Sequence, residues 1–109
     1  MRLQITGRHV EVTEPIKAHV EGKVDRLRRY FEGIHGIQVI LHKEKTFSRV
    51  ELVAGLVRGK TIVVRGEDAD MYVAIDQACR KAETALTRFK NKVKGEKSKQ
   101  WRKAGSKGR

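Results

Sequence analysis

The stretch VELVAGLVRGKTIVV, from Val50 to Val64, decides the predicted fold because apolar residues alternate with other residues on both sides of a turn. Alternation with a period of two is typical of strands that bury one face. The first run consists of Val50, Leu52, Ala54 and Leu56, and the second consists of Ile62 and Val64. Arg58-Gly59 between them is short enough for a tight hairpin in which glycine takes a positive φ. The stretch therefore predicts two antiparallel strands.

Upstream of this hairpin, the sequence predicts two strands separated by a helix. The first strand contains Leu3 and Ile5 and is interrupted by Gly7; the other contains Ile37, Val39 and Leu41 and is linked onward by residues 43–48. The intervening helix has an apolar stripe at spacings of three and four: Ile16, Val20, Val24, Leu27 and Phe31. Its start is indicated by Thr13 as N-cap, followed by Glu14 and Pro15, and its end by Gly33 and Gly36.

Downstream of the hairpin, a second helix is predicted, with Asp68 or Asp70 as its N-cap. Its apolar stripe consists of Ile75, Cys79, Ala82, Leu86, Phe89 and Val93. The resulting order, β-α-β-β-β-α, predicts an α+β fold in which a parallel β-α-β unit is extended by antiparallel strands. We expect a four-stranded sheet with both helices on one face and the other face partly solvated.

Positive charge is concentrated near the C-terminus. Residues 88–109 hold ten of the 25 Lys and Arg and a single acid, Glu96, which gives this segment +9 of the total net charge of +12. Such a segment favours polyanionic partners, because binding releases counterions condensed on phosphates. After Gly95 the apolar period disappears, so we expect a folded domain over residues 1–94 and a disordered basic tail over residues 95–109. A tail that only improves solubility is the alternative, and Trp101 within it could either stack on a base or have no role.

Each predicted helix also has one flank without acids. In the first helix it comprises His19, Lys23, Arg26 and Tyr30, and in the second it comprises Gln77, Lys81, Thr84, Arg88 and Lys92. The opposite flank of the second helix carries Asp76, Arg80 and Glu83. If the two acid-free flanks converge between neighbouring helices, they form a basic groove suited to a nucleic-acid backbone. Accidental segregation of charge in short helices is the alternative.

The remaining residues do not indicate an enzyme, a cofactor or a membrane protein. The lone Cys79 falls within an apolar stripe, as expected of a buried structural thiol, and a single cysteine favours a reducing cytosol. Four scattered histidines lack metal-ligand spacing, and no phosphate-binding glycine motif is present. No apolar run approaches the ~20 residues of a membrane span, and the N-terminus lacks the features of a signal peptide.

Two segments resemble the bacterial ribosome hibernation-promoting factors and their paralogue, the ribosome-associated inhibitor. They are ITGRHVEVTE, Ile5 to Glu14, and DMYVAID, Asp70 to Asp76, and the similarity extends to about Lys94. The resemblance implies a fold similar to a double-stranded-RNA-binding domain with an added first strand. It implies a non-enzymatic silencer of translation that occupies transfer RNA and messenger RNA sites in the cleft of the small ribosomal subunit during stationary phase or stress.

The resemblance further implies that basic residues bind ribosomal RNA. The positions that correspond are Lys23, Arg26, Arg29, Lys43, Lys81, Arg88 and Lys92. The family often has an Arg-Gln pair where this chain has Thr84-Ala85, and Arg80 is the neighbouring residue expected to compensate for that phosphate contact. We expect a short form, without the second domain of the long forms, and a monomer when free. Its basic tail favours the hibernation-promoting type, for which a separate ribosome-dimerising factor is a further candidate partner.

Two other functions stay open at this point. One is a general RNA-binding chaperone whose tail supplies the affinity. The other is a protein-interaction regulator, since some family members have been catalogued as modulators of an alternative sigma factor.

Overall fold

The computed structural model describes the backbone of residues 2–101 and the side chains of residues 2–91. The elements, in chain order, are β1 (Arg2–Arg8), α1 (Glu14–Tyr30), β2 (Ile34–Lys43), β3 (Ser48–Leu56), a 3-10 turn (Val57–Gly59), β4 (Thr61–Asp68) and α2 (Met71–Trp101). The predicted α+β class and β-α-β-β-β-α order are confirmed.

The four strands form one mixed sheet in the order β1-β2-β3-β4. β1 is parallel to β2, and both other pairings are antiparallel. Because side chains alternate across a strand, this register places one set of apolar residues on a common face. In β2 and β3 that set is Ile37, Val39, Leu41, Val50, Leu52, Ala54 and Leu56, all buried. The opposite face carries mostly polar residues and the half-exposed Val63, as expected.

Both helices cover the apolar face and complete a single core. The stripe of α1 contributes Ile16, Val20, Val24 and Leu27, and α2 contributes Met71, Ala74, Ile75, Ala78, Cys79, Ala82 and Leu86. α2 lies over β3 and β4 and beside α1. Within this core the hydroxyl of Ser48 is fully buried and has no hydrogen-bond partner among the described residues.

The helix starts follow the predicted caps. Thr13 Oγ1 accepts a hydrogen bond from the backbone N–H of Ile16 at 3.4 Å. Asp70 rather than Asp68 caps α2, since Asp70 Oδ1 accepts from the N–H of Tyr72 at 2.8 Å. Both side chains accept hydrogen bonds from backbone N–H groups of the first helical turn, which have no hydrogen-bond partner within the helix.

The predicted end of α1 is partly wrong. Phe31 caps the helix instead of belonging to it, and its backbone N–H donates to the carbonyl of Leu27. Gly33 lies in the following turn, but Gly36 is inside β2, paired with Gly55 of β3. The prediction was wrong because the local sequence does not distinguish a glycine inside a strand from a glycine that ends a helix.

The turn between β3 and β4 confirms the predicted hairpin and extends it. Gly59 has the expected positive φ of 70°, and Arg58 also lies in the left-handed region at 67°. The backbone N–H of Leu56 donates to the carbonyl of Lys60 at 2.7 Å, which closes the turn. A pair of positive φ angles matches the right-handed twist of antiparallel strands.

α2 packs against β4 at unusually short range. A Cβ atom added to Gly66 would lie 2.2 Å from the carbonyl oxygen of Ala74 and 2.8 Å from the backbone nitrogen of Ala78. Only a residue without a side chain permits this approach. Gly66 therefore fixes the height of α2 above the sheet.

α2 is longer than the sequence indicated. Its helix runs through Gly95 to Trp101, whereas the apolar period ends at Val93. Residues 102–109 and the side chains beyond Asn91 lie outside the described residues, so the division into a domain over residues 1–94 and a basic tail over residues 95–109 stays a prediction. Within residues 2–101, neither helix combines the length and apolarity needed to span a membrane.

Candidate nucleic-acid interface

α1 and α2 run parallel, as two side-chain contacts show. Near the helix starts, His19 Nε2 lies 2.7 Å from Asp76 Oδ1, and near the end of α1 the hydroxyls of Tyr30 and Thr87 lie 2.8 Å apart. Both pairs are 57 residues apart in the chain, so the helices advance together in the same direction. The space, or groove, between the two helices is bounded by these two contacts, at Asp76 and at Thr87.

The middle of this groove is a depression of about 240 Å³, which we call the interhelical cleft. Its lining residues are Lys23, Arg26, Leu27, Asp76, Cys79, Arg80 and Glu83. Three of these are basic and two are acidic, so the cleft has a modest positive charge. Its position on the outer surface of the helical layer leaves it open to a large partner.

Asp76 organises the charges at one end of the interhelical cleft. Its carboxylate contacts His19 at 2.7 Å and Lys23 Nζ at 3.4 Å. Partial burial by itself would raise the pKa of Asp76, but the hydrogen bond from His19 and the charge of Lys23 outweigh it and lower the pKa below its ordinary value. The carboxylate therefore stays ionised and holds two side chains of α1 against α2.

Cys79 forms part of the cleft floor. Burial raises the pKa of its thiol to about 11, so the thiol is protonated at neutral pH. A thiolate, rather than a thiol, is the reactive form of cysteine. The interpretation of Cys79 as a buried structural residue is thus confirmed in its placement, since it is buried and free of any disulfide.

The two acid-free flanks do not converge, so the condition for the basic groove considered from the sequence is not met. The basic flank of α1 faces the flank of α2 that carries Asp76, Arg80 and Glu83. The acid-free flank of α2 turns the other way, since Gln77 Oε1 accepts from the backbone N–H of Glu67 in β4 at 3.0 Å. Which flank of α2 meets α1 depends on how α2 lies on the sheet, and the pattern of a single helix does not contain that information.

The site residues expected from the sequence therefore fall into separate groups. Lys23, Arg26 and Arg80 line the interhelical cleft. Lys81 and Arg88 lie exposed on the outer flank of α2, at helical positions that continue from Gln77. The side chain of Lys92, on the same flank by spacing, lies outside the described residues.

Arg29 and Lys43 occupy opposite ends of the helical layer. Arg29 is in the last turn of α1, with its side chain 76% exposed and 3.7 Å from Asp25. Lys43 is the last residue of β2 and pairs with Ser48, at the end of the sheet where both helices begin. Since α1 has 17 residues, the two ends are about 25 Å apart. One partner contacting both residues must span the whole length of α1.

Several of these cations are available to an outside partner. Across residues 2–91, no ion pair involves Arg26, Lys43, Arg80, Lys81 or Arg88, and all five are exposed. Lys23 and Arg29 do have acidic neighbours. An exposed cation without an internal acid loses little when it binds a phosphate, so these five are suited to contact an RNA backbone.

An aromatic residue lies at each end of the groove; Tyr30 was expected on the acid-free flank of the first helix, whereas Tyr72 was missed. Tyr72 stands edge-to-face to His19, with ring centroids 5.1 Å apart, and the ammonium of Lys90 lies 4.8 Å from the ring centroid of Tyr30. Both tyrosines are 37% exposed. The helical spacing of Tyr72 to Asp76 could have placed Tyr72 on this flank, had the flank itself been identified.

The chain and its fold match known proteins over the domain just described. Residues 3–94 match the family described as Sigma 54 modulation protein / S30EA ribosomal protein. Among curated relatives, the ribosome hibernation promoting factor of Pseudomonas putida is 37% identical over 92 residues, covering 84% of this chain and 89% of that protein. The factor of that name from Salmonella typhimurium is 39% identical over 94 residues, covering 86% and 98%.

Two solved structures share the architecture. A ribosomal subunit interface protein from Coxiella burnetii has a TM-score of 0.78 and 31% identity, with 84% of this chain and 99% of that chain covered. The N-terminal domain of Protein Y from Thermus thermophilus has a TM-score of 0.74 and 38% identity, with 82% and 99% covered. A family match over residues 3–94, supported by sequence and structure alike, establishes that the chain belongs to the Sigma 54 modulation protein / S30EA ribosomal protein family.

Proposed function

We propose that this protein is a non-enzymatic ribosome hibernation factor. It binds the small ribosomal subunit in the cytoplasm, in the cleft between head and body, and excludes transfer RNA and messenger RNA during stationary phase or stress. Support comes from relatives named ribosome hibernation promoting factor and from structural neighbours described as ribosomal subunit interface proteins.

The observation that carries the proposal is the set of exposed cations without acidic partners on the helical layer. In the interhelical cleft, Arg26 and Arg80 project from facing helices beside Lys23. Two guanidinium groups on opposite walls can contact successive phosphates of one strand, with each planar fork forming paired hydrogen bonds. Lys81 and Arg88, which face away from the cleft, contact a second RNA segment. A domain that contacts two RNA segments at once is suited to binding in the cleft between the head and the body of the subunit.

The interhelical cleft is proposed as a binding site rather than a catalytic one. Its best-placed carboxylate, that of Asp76, is held ionised by a hydrogen bond with His19 and by the charge of Lys23, so it is a poor proton donor or acceptor near neutral pH. The thiol of Cys79 is buried and protonated. The carboxylate of Asp76 positions His19 and Lys23 of α1.

The test compares three double charge reversals that change net charge equally. Arg26→Glu with Arg80→Glu alters the interhelical cleft, and Lys81→Glu with Arg88→Glu alters the outer flank of α2. The matched control is Lys17→Glu with Lys45→Glu, at exposed sites outside both groups. Affinity for purified small subunits is measured as a function of salt. We expect both test variants to lose binding and to reduce the salt slope by about one unit per lost phosphate contact, while the control keeps most of its affinity.

The other functions left open by the sequence predict different results. Equal losses in all three variants, or equal wild-type affinity for any duplex RNA, would indicate a general RNA-binding protein. Salt-insensitive binding to a protein partner, without binding to subunits, would favour the sigma-factor role that the family description contains. Sedimentation of stationary-phase lysates through sucrose gradients, with this protein tracked, then tests whether it occupies ribosomal particles in the cell.

A further inference from the structure

The face of the sheet opposite the helices has two unlike halves. Near the end of β2, opposite charges pair across strands: Arg49 with Glu67 at 2.8 Å and Arg65 with Glu51 at 3.1 Å. At the other end, the two outermost rows of the register are Gln4-Gln38-Val53-Val63 and Arg2-Gly36-Gly55-Thr61. These rows contain no carboxylate. A patch on this second half is therefore basic and polar, with no internal neutralisation.

The acid-free half contains a shallow depression of about 320 Å³, which we call the sheet depression. Its lining is provided mainly by Arg2, Gln4, Gly36, Gln38, Val53 and Gly55. The size is at the small end of the range of about 300–1,000 Å³ found for small-ligand sites. The side chains of Arg2, Gln4 and Gln38 are exposed, so their polar groups are available at its rim.

The floor of the sheet depression is made by two glycines, of which only one is explained by internal packing. A Cβ added at Gly36 would lie 3.3 Å from the backbone carbonyl oxygen of Arg2, so the close approach of β1 accounts for that glycine. Gly36 and Gly55 are directly opposite each other in neighbouring strands. A Cβ added at Gly55 would meet only the carbonyl oxygen of Gly36, at 4.0 Å, so a larger residue fits. The backbone conformation does not require glycine at position 55 either, because among the described glycines only Gly59 has a positive φ. Glycine weakens a strand, and one without a packing reason marks close approach by a ligand or another backbone.

The chemistry of the sheet depression favours one class of ligand. A floor without side chains exposes flat peptide groups, against which a planar ring can lie in van der Waals contact. Gln4 and Gln38 each offer both donors and acceptors, as a nucleobase edge requires. The guanidinium of Arg2 complements a phosphate. Protein docking is less well supported, because Val53 and Val63 are the main apolar side chains in these rows, and the cores of stable protein interfaces are more apolar.

We propose that the sheet depression binds one unstacked nucleotide of RNA. The base lies flat on Gly36 and Gly55, its edge bonds with the amides of Gln4 and Gln38, and its phosphate pairs with Arg2. In the cell this nucleotide belongs to RNA of the small subunit, and to that extent the inference rests on the proposed function. The domain would then hold RNA on both sides, through the helices on one face and the sheet depression on the other.

The first experiment detects the site directly in the full-length protein. Backbone amide signals are followed by NMR while a short single-stranded RNA of mixed sequence is added, and then in a parallel titration with inorganic polyphosphate. We expect the signals of Gly36 and Gly55 to shift with RNA and to shift much less with polyphosphate. Equal shifts with both ligands would overturn the base-binding part of the proposal, and no shift with RNA would overturn it entirely.

The second experiment measures the contribution of the floor to subunit binding. Gly55→Ala raises the floor by a methyl group, and we expect affinity for small subunits to fall about tenfold, equivalent to ~1.4 kcal/mol, without loss of folding stability. Gly22→Ala is the matched control, because a Cβ there meets no atom within 4 Å and Gly22 is exposed on α1. It should leave affinity unchanged. Gln4→Ala with Gln38→Ala repeats the test with exposed side chains, should Gly55→Ala disturb β3.

The outcomes separate this inference from the proposed function. If Gly55→Ala and the double glutamine variant bind subunits as tightly as the wild type, the sheet depression does not contact RNA there. If the wild type itself fails to bind subunits, the proposed function is wrong, and the RNA titration still decides the site. If the signals of Gly36 and Gly55 instead change with protein concentration alone, this face binds a second copy of the chain and the nucleotide proposal fails.

Discussion

Replacing Gly66 by alanine should destabilise the protein by forcing α2 away from the sheet. The added Cβ would lie 2.2 Å from the carbonyl oxygen of Ala74, whereas ordinary contact begins at 3.4 Å. α2 must therefore retreat from β4 by about 1 Å. A gap of 0.5–1 Å forfeits roughly a quarter to a half of each contact energy. Burying a side chain such as that of Met71 or Ile75 contributes about 1.5–3 kcal/mol.

Applied to the buried residues in the first turns of α2, this loss amounts to about 2–3 kcal/mol, within the range known for overpacked cores. The entropy that alanine removes from the unfolded chain offsets less than about 1 kcal/mol of it. The melting temperature should fall by roughly 10–20 °C in a domain of this size. Urea unfolding followed by circular dichroism measures the free energy of unfolding directly.

Gly22→Ala provides the opposite expectation for the same chemical change. It adds a methyl group on the exposed side of α1, where no atom lies within 4 Å, and should raise the free energy of unfolding by about 0.5–1 kcal/mol through helix propensity. If the free energy of unfolding of Gly66→Ala lies within 1 kcal/mol of the wild-type value, α2 does not approach β4 as closely as described. The assignment of the interhelical cleft, which depends on the position of α2, would then also be in doubt.

Four further results are expected. Leu27→Ala or Leu86→Ala should each cost ~2–5 kcal/mol of stability, measured by urea unfolding, since both side chains are buried in the core; unchanged melts would contradict the assigned helix faces. Cys79 should react with iodoacetamide at pH 8 at least about a hundredfold more slowly in the native protein than in urea, because burial raises the pKa of its thiol from 9.0 to about 11, and Cys79→Ala should leave subunit binding nearly intact. Ser48→Ala should raise stability by about 1 kcal/mol, because it removes a buried hydroxyl without a partner, and a loss of stability would reveal a missed hydrogen bond. The pKa of Asp76 is lowered in the folded state, so the unfolded state binds more protons in acid; the stabilisation that Asp76 provides over Asp76→Asn is present above about pH 4 and should disappear as pH falls further.

The fold could largely be predicted from the sequence because the spacing of apolar residues within each element indicates its type. The alternation from Val50 to Val64 and the stripe that begins at Ile16 each report which side of an element is buried. The Thr13 cap and the Arg58-Gly59 turn are likewise local, since a cap or a hairpin is decided by residues within a few positions. Local signals of this kind survive in a single sequence without any knowledge of the partner surface.

The candidate site was harder to predict because it is a relation between elements. Arg26 and Arg80 were both named from the sequence, but their meeting in one cleft depends on the height and rotation of α2 above the sheet. Gly66 sets that height, and its role is visible only when the distance to Ala74 is known. Gly36 was misread for a related reason, since its significance comes from Gly55 on the neighbouring strand.

The sheet order has a consequence for how the protein assembles and opens. Strands β2, β3 and β4 are joined by short turns, whereas β1 pairs with β2 across 34 residues, as Arg2 with Gly36. Closing a long loop costs more chain entropy than closing a short one, so the three-strand meander can form before β1 docks. As an edge strand in which no side chain is fully buried, β1 also belongs to the part of the protein that opens most readily, which native-state hydrogen exchange would report. Arg2 and Gln4 lie on this strand, so the sheet depression exists only while β1 is paired with β2. A ligand bound there would therefore stabilise the strand pairing that forms last.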